Sequence, residues 1–183
     1  MPVCVYLVGV SSSGKTTYAS ELLKSDYFSS TNTTYISSDR ERCKLTGSTS
    51  NLTEEDRLWK FILPRLTINA LIAGDNVIFD AIAPYARARR DWIDLGKEIG
   101  RIANMFDFPR HILECHFFEA NLERSIANNK LKEKPVSEDT IMRQCENWEE
   151  PTMNEGFDVV VNLDKMDGSR VEEKYNWKIN QLI

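Results

Sequence analysis

The chain has 183 residues, of which 42% are hydrophobic and 28% charged, and its formal net charge is −5. This length allows one domain with a buried core but not two ordinary ones, and no apolar run is long enough to span a bilayer, so we expect a single domain over residues 1–183 and no membrane partner. The acidic balance weighs slightly against a broad nucleic-acid surface, because phosphate contacts require clustered lysine and arginine.

The cysteines and histidines give no sign of a metal or disulfide framework. Four cysteines stand at positions 4, 43, 115 and 145 without a C-x-x-C pair, which favours reduced thiols. The N-terminus shows no basic segment ahead of an apolar one, so we expect a cytoplasmic protein. His111 and His116 lie five residues apart on a predicted strand, and this odd spacing points them to opposite faces.

The most specific feature is the segment Gly9–Thr16, which fills the pattern G-x-x-x-x-G-K-[ST] in full. It follows Val3–Val8, an apolar, β-branched run that predicts a buried strand. It precedes a predicted helix that has Tyr18 and Leu22 on one face. A strand, a loop and a helix therefore occur in the order that a phosphate-binding loop (P-loop) requires.

Each residue type in this loop suits a polyphosphate ligand. Gly9 and Gly14 let the backbone approach an anion, and the following helix start adds unpaired N–H donors. Lys15 can place its charge on the β- and γ-phosphates, while the Thr16 hydroxyl can bind magnesium. We therefore predict ATP and Mg²⁺ as ligands, and we expect Lys15 to face solvent before nucleotide binds. The loop residues predicted to line the nucleotide also include Ser12, Ser13 and Thr17.

A second candidate residue follows the next predicted strand. The polar stretch from Ser25 to Thr34 predicts a loop, and Thr34–Ser37 predicts a short strand that leads to Asp39. In open α/β sheets the ligand crevice lies at the carboxyl ends of the strands, so Asp39 is a site candidate. N-capping of the following helix is an equally good role for this aspartate.

The next helix and strand supply a possible metal ligand. Apolar residues at helical spacing predict a helix from Thr53 to Ala73, kinked at Pro64 and ended by Gly74. The strand Asn76–Asp80 then closes with an aspartate. A carboxylate there can hold magnesium directly or through water, and a turn or cap role is the alternative.

The remaining segments complete an alternating pattern. Arg87, Arg89 and Arg90 begin a further helix on more than one face, so we expect one of them near the crevice and the others solvated or paired. The pattern of five strands alternating with helices predicts an α/β fold with a mostly parallel sheet covered on both faces. The later predicted elements are the strand His111–Phe118, helices from Asn121 and Ser137, the strand Gly156–Asn162 and a terminal helix from Ser169 to Leu182.

A polar, basic segment ending at Pro135 predicts a short lid, approximately residues 125–137. Such a segment can bring cations over a transferred phosphate when it closes. A solvated charge run is the alternative for any single residue. The candidate cations are Arg124, Lys130, Lys132 and Lys134.

Three segments together resemble the kinase domain of polynucleotide kinases, both the phage type and the animal repair enzyme: the P-loop, Ile36–Arg42 and Trp148–Asp158. The resemblance runs nearly end to end. It implies that Asp39 is the general base, that Arg42 binds the acceptor side, and that Asp80 is the strand-end acid.

The resemblance also covers the arginines and the lid. Arg87 and Arg90 match the family's arginine-bearing helix. The family's lid arginine is matched here by Lys130, with Arg124 upstream on the nucleotide side. Because lysine lacks arginine's planar fork, the lid departs from the family pattern. The catalytic set implied is Lys15, Asp39, Arg42 and Lys130.

The function predicted first is a kinase that moves the γ-phosphate of ATP to a hydroxyl on a nucleic acid. The acceptor is either a polynucleotide 5′-hydroxyl or a hydroxymethylated base, as in phage-type DNA modification. Two alternatives stay open: a kinase for a small molecule such as a nucleoside, sugar acid or antibiotic, and a nucleotide-binding switch without an acceptor. No residue pattern indicates the acceptor, the choice between ATP and GTP, or the oligomeric state.

Overall fold

The computed structural model describes residues 2–106 and 110–166. Five parallel strands form one sheet in the order β2-β3-β1-β4-β5, which confirms the predicted α/β fold with a parallel sheet. The strands are β1 (Val3–Val8), β2 (Thr33–Ser37), β3 (Asn76–Asp80), β4 (Ile112–Phe117) and β5 (Val159–Asn162).

Helices cover both faces of the sheet. All six residues of β1 are buried, and its alternating side chains serve two separate cores. Val3, Val5 and Leu7 pack against α1 and α2, whereas Tyr6 and Val8 belong to the core of the opposite face. The helices are α1 (Lys15–Lys24), α2 (Asp26–Ser29), α3 (Ser38–Thr46), α4 (Glu55–Arg57), α5 (Leu63–Ile72), α6 (Ala86–Phe106), α7 (Leu122–Lys130) and α8 (Glu138–Glu146).

The prediction of a loop from Ser25 to Thr34 was wrong, because this stretch contains α2. Tyr27 and Phe28 are buried there, with ring centroids 5.0 Å apart in an edge-to-face contact. The two aromatic rings supply enough apolar surface to hold one helical turn against the sheet, although their neighbours are polar.

The helix predicted over residues 53–73 is irregular in its middle. Leu58–Ile62 between α4 and α5 is π-helical, and Pro64 lies in the first turn of α5. Proline has no N–H to donate, and its ring collides with the carbonyl four residues back, so a wider turn ahead of it relieves the conflict. The predicted kink therefore takes the form of a π-helical turn, which leaves Phe61 67% exposed.

The two histidines point to opposite faces of the sheet, as predicted. His111 Nε2 lies 3.2 Å from the Gly96 carbonyl on α6, and His116 Nδ1 lies 2.8 Å from the Tyr18 hydroxyl on α1. The predicted terminal helix from Ser169 to Leu182 lies outside the described residues. Among the helices that are described, none has the length and apolarity needed to cross a bilayer.

Candidate functional site

The P-loop connects β1 to α1 at the carboxyl edge of the sheet, as predicted. A Cβ atom at Gly9 would lie only 2.6 Å from Ser13 Oγ, so the turn requires glycine there. Gly14 is the N-cap of α1 with φ 114°, and no side chain caps this helix. The first N–H groups of α1 therefore remain available to an anion, and the helix dipole favours negative charge at the same place.

Lys15 is buried, so the prediction that it faces solvent was wrong. Its ammonium group donates to the carbonyls of Gly9 (2.9 Å) and Val10 (2.8 Å), which replace water. Burial lowers the pKa of Lys15 to about 8, and the nearby charge of Lys132 acts in the same direction. The carboxylates of Asp80 and Asp39 oppose this shift of the Lys15 pKa, so both lie within electrostatic reach of the ammonium group.

Thr16 and Asp80, the two predicted metal ligands, are in direct contact. Thr16 Oγ1 donates a 2.7 Å hydrogen bond to Asp80 Oδ2, and the Tyr35 hydroxyl donates a second of 2.8 Å to the same oxygen. Asp80 ends β3 in register with Leu7 of β1 and Ser37 of β2. A hydroxyl and a carboxylate beside a phosphate loop are the hard oxygen ligands that Mg²⁺ prefers, so these residues fit the predicted ion.

Asp39 lies in the first turn of α3 and does not cap it. The Ser37 hydroxyl takes that role by accepting the Arg40 N–H at 3.4 Å. The Asp39 side chain is 60% exposed and forms an ion pair with Arg42 Nη1. Its carboxylate is therefore accessible to an incoming molecule and is held from one side.

Arg42 is buried, and Glu55 holds its other edge. Glu55 accepts from Arg42 Nε at 2.5 Å and from Nη2 at 3.2 Å, and it also accepts from Trp59 Nε1 at 2.7 Å. This bidentate pair leaves the Nη1 end of the guanidinium directed at Asp39. Sequence reasoning missed Glu55, because nothing in its pattern distinguishes it from other acids in a first helical turn.

The lid loop between α7 and α8 comprises residues 131–137, since α7 continues to Lys130. The first half of the segment predicted as a lid is therefore helical. Lys130 is exposed and lies 3.6 Å from Glu138, with which it forms an ion pair. Lys132 is the lid lysine whose charge reaches Lys15. Electrostatics thus favours Lys132 over the predicted Lys130 as the lid cation.

Arg124 lies beside the P-loop but is already paired. Its Nη2 donates to the Glu119 carbonyl (2.9 Å) and to Asp164 (3.1 Å), and its Nη1 also contacts Asp164. The guanidinium stands 5.7 Å from the ring centroid of Phe118. That ring lies 3.5 Å from the position that a Cβ atom on Gly14 would take. The Phe118 ring therefore lies between Arg124 and the start of α1.

Of the three arginines at the start of α6, one is buried in an ion pair and two are exposed, and the prediction that one of them lies near the crevice stays a prediction. Arg89 is fully buried and forms a bidentate pair with Glu155. Arg87 and Arg90 are exposed, and neither has an ion-pair partner among the described residues. Together with the partly exposed Tyr85 they line a surface groove of about 580 Å³.

The fold and loop together define a class: a P-loop nucleotide-binding domain with a parallel five-stranded sheet. A family model described as "AAA domain" matches residues 4–151. The chain belongs to this family. None of the curated proteins matches the chain.

Solved structures of several kinases share the fold. A chain in the structure of the Pnkp1/Rnl/Hen1 RNA repair complex is 20% identical with a TM-score of 0.65, over 80% of this chain and 43% of the other. This chain therefore spans less than half the length of that relative. A gluconokinase from Sinorhizobium meliloti 1021 is 16% identical with a TM-score of 0.54, over 99% and 93% of the two chains. A shikimate kinase from Acinetobacter baumannii is 15% identical with a TM-score of 0.52, over 99% and 94%.

Proposed function

We propose that this protein is an ATP- and Mg²⁺-dependent kinase that transfers the γ-phosphate to a hydroxyl on a nucleic acid. One observation carries the kinase assignment: Lys15, Asp80 and Asp39 lie at the carboxyl edge of three neighbouring strands, where Thr16 beside Lys15 donates a 2.7 Å hydrogen bond to Asp80. Lys15 and Asp39 lie in the first turns of the helices that follow β1 and β2, and Asp80 ends β3. Phosphoryl transfer needs a phosphate clamp, a metal ligand and a base at the acceptor, and these residue types supply all three.

The chain's own residues suit the individual steps. The P-loop amides and Lys15 bind the triphosphate, and Thr16 with Asp80 would hold Mg²⁺. A bound Mg²⁺ would neutralise charge that develops on the phosphate oxygens. Asp39 accepts the proton of the acceptor hydroxyl as its oxygen bonds to the γ-phosphorus, while the bond to the β–γ bridging oxygen breaks and ADP leaves.

Arg42 orients the base in this mechanism. Its Nε and Nη2 atoms are bonded to Glu55, so only its Nη1 end remains for Asp39. An acceptor phosphate that bound the remaining Nη1–Nη2 end would have to share Nη1 with Asp39, so the contacts present favour a role in holding Asp39. We therefore assign Arg42 to positioning Asp39 rather than to binding the acceptor.

Two surface grooves support a nucleic-acid acceptor. In the first, Tyr85 stands beside Arg87 and Arg90. In the second, of about 450 Å³, the exposed Phe61 is flanked by Arg57 and Arg65, with Arg57 3.8 Å from Glu54. Exposed aromatic rings beside cations are the combination that binds single-stranded nucleic acids, through base stacking and phosphate contacts. The likeness to a chain from an RNA repair complex agrees with this substrate class.

A small-molecule kinase is the second candidate. The observation that favours it is the nearly full-length match to a gluconokinase and a shikimate kinase. The net charge of −5 points the same way, because it lowers the attraction of the surface for polyanions.

Labelled ATP and a panel of acceptors would test the proposal. The panel holds 5′-hydroxyl oligonucleotides, hydroxymethylated duplexes, nucleosides, gluconate and shikimate, and Lys15→Ala serves as the inactive control. Label on an oligonucleotide or duplex supports the proposal, whereas label on small molecules alone replaces it with the second candidate. ATP hydrolysis that Asp39→Ala leaves unchanged, with no acceptor labelled, would indicate a nucleotide-binding switch.

Salt dependence provides a separate test of the acceptor class. For a nucleic acid, log kcat/KM should fall linearly with log salt, with a slope of about −0.7 per phosphate contacted on a single strand. The Arg87→Ala/Arg90→Ala variant should make this slope shallower. Arg101→Ala is the matched control, since Arg101 is exposed but paired with Glu98 at 2.6 Å. An unchanged slope in the double variant would show that this groove does not bind the acceptor.

A further inference from the structure

Asn129 joins the P-loop to both ends of the lid loop. It lies in the last turn of α7 and is only 3% exposed. Its Nδ2 donates to the Val136 carbonyl (2.6 Å), and its Oδ1 accepts from the Val136 N–H (3.0 Å) and from the Ser12 hydroxyl (3.2 Å). One side-chain amide thus holds the two ends of the lid loop together and attaches them to the P-loop.

Two neighbouring side chains strengthen the attachment. Asn128 Nδ2 donates to the Ser12 carbonyl at 3.0 Å, and Gln144 Oε1 on α8 accepts the Ser11 N–H at 2.7 Å. Ser12 has a φ of 62°, the one positive φ outside glycine among the described residues. The unfavourable turn at Ser12 is therefore held by side chains from the two helices that flank the lid.

The same hydrogen bonds restrict the position of Lys132. Lys132 lies three residues beyond Asn129, within the loop whose ends Asn129 holds together. The charge of Lys132 already lowers the pKa of Lys15, so the two ammonium groups repel each other. A bound triphosphate would attract both ammonium groups and so offset their mutual repulsion.

We propose that Asn129 is a positioning residue for phosphoryl transfer: it anchors the lid loop to the P-loop so that Lys132 reaches the transferred phosphate. The proposal rests on the proposed kinase function. Asn129 itself is not expected to touch the nucleotide, because its polar atoms are committed to Ser12 and Val136. Its effect should therefore appear in turnover rather than in nucleotide binding.

A double-mutant cycle tests whether Asn129 acts through Lys132. Asn129→Ala and Lys132→Ala should each lower kcat about tenfold or more while changing the ATP affinity less than about threefold. The kcat of the double variant should be no lower than that of either single variant, since Asn129 acts only by positioning Lys132. The matched control is Asn147→Ala, an exposed asparagine at the end of α8 that bonds only to the Arg143 carbonyl in the described structure. Additive losses in kcat would overturn the proposal.

Hydrogen exchange of the lid amides provides a readout that does not depend on transfer. In the wild-type protein a non-hydrolysable ATP analogue should slow exchange over residues 131–136, and in Asn129→Ala it should not, although the analogue still binds. Equal protection in both proteins would overturn this proposal and leave the kinase assignment intact. If the analogue does not slow exchange in the wild-type lid and the protein labels no acceptor, both this proposal and the kinase assignment are overturned.

Discussion

Thr16 and Asp80 are 64 residues apart in the sequence, yet their side chains share a 2.7 Å hydrogen bond at the carboxyl edge of the sheet. The contact arises because β1 and β3 are adjacent parallel strands that end at the same level, with Leu7 opposite Asp80. A hydroxyl from the start of one helix and a carboxylate from a strand end therefore form one oxygen-rich position beside the P-loop.

Removal of the Asp80 charge should weaken the response to magnesium. In Asp80→Asn, the Mg²⁺ concentration for half-maximal transfer should rise about tenfold or more, because a neutral amide is a poorer ligand for this ion. Tyr35→Phe is the control, since it removes the other hydrogen bond to Asp80 and leaves the carboxylate in place. The measurement is a Mg²⁺ titration of the initial rate. Identical titration curves for Asp80→Asn and the wild type would exclude Asp80 as a metal ligand.

Asp39→Asn should separate turnover from nucleotide binding. An amide cannot accept the hydroxyl proton, so kcat should fall about 10²- to 10⁴-fold. The dissociation constant for ATP should change little, because the role proposed for Asp39 concerns the acceptor hydroxyl and not the nucleotide. Steady-state rates and calorimetric ATP binding give the two quantities. A comparable loss of ATP affinity would place Asp39 in the magnesium site instead.

Glu55→Gln should reduce kcat less than Asp39→Asn does. The amide keeps the shape of Glu55 but releases the charged edge of Arg42, so that the Asp39 carboxylate is oriented less well. We expect a loss in kcat of about tenfold with ATP affinity unchanged. Glu54→Gln provides the matched control, because Glu54 precedes Glu55 in the chain and only approaches Arg57 at 3.8 Å. Equal rates for the two variants would show that Glu55 is dispensable.

The polyphosphate side of the site could be predicted because it depends on one contiguous segment. Gly9, Gly14, Lys15 and Thr16 are adjacent in the sequence, and a buried strand ahead of them determines where they lie. Asp80 was predicted for a related reason: an acid that ends an apolar run lies at the carboxyl edge of a parallel sheet. In both cases local sequence determines position.

The contacts that hold these groups could not be predicted, since they join distant segments through polar side chains without periodicity. Asn129, Glu55 and Gln144 are ordinary helical residues until the fold places them against Ser12, Arg42 and Ser11. The burial of Lys15 was missed for a different reason. A lysine is normally exposed, and only the geometry of the loop shows that backbone carbonyls solvate its ammonium group.

The affinity for ATP should decrease as the pH rises through the lowered pKa of Lys15. This pKa is about 8 in the nucleotide-free protein, below the ordinary 10.5, because burial disfavours the charged form. In the proposed site the triphosphate pairs with the protonated lysine, so the dissociation constant for ATP should increase by up to about tenfold per pH unit above 8. Lys15→Arg stays charged over this range, and its profile should be flat. A wild-type dissociation constant that is constant from pH 7 to 9.5 would contradict this prediction.

The buried pair of Arg89 and Glu155 should contribute to stability rather than to catalysis. Arg89 is fully buried, donates to Glu155 at 2.6 and 2.8 Å, and donates from Nη1 to the Ala83 carbonyl at 3.1 Å. Glu155→Gln removes the charge that compensates the guanidinium, which should lower the free energy of unfolding by about 3–5 kcal/mol. Urea denaturation measures this loss.

Two further variants test whether the expected loss of stability is specific to the Arg89–Glu155 pair or follows the loss of any charge. Glu98→Gln breaks the exposed pair with Arg101, which solvent screens, and should leave the urea midpoint nearly unchanged. Arg89→Met combined with Glu155→Gln should recover part of the lost stability, because no unpaired charge remains in the core. If Glu155→Gln unfolds at the same urea concentration as Glu98→Gln, the Glu155 carboxylate does not compensate the charge of Arg89, and water must reach the guanidinium.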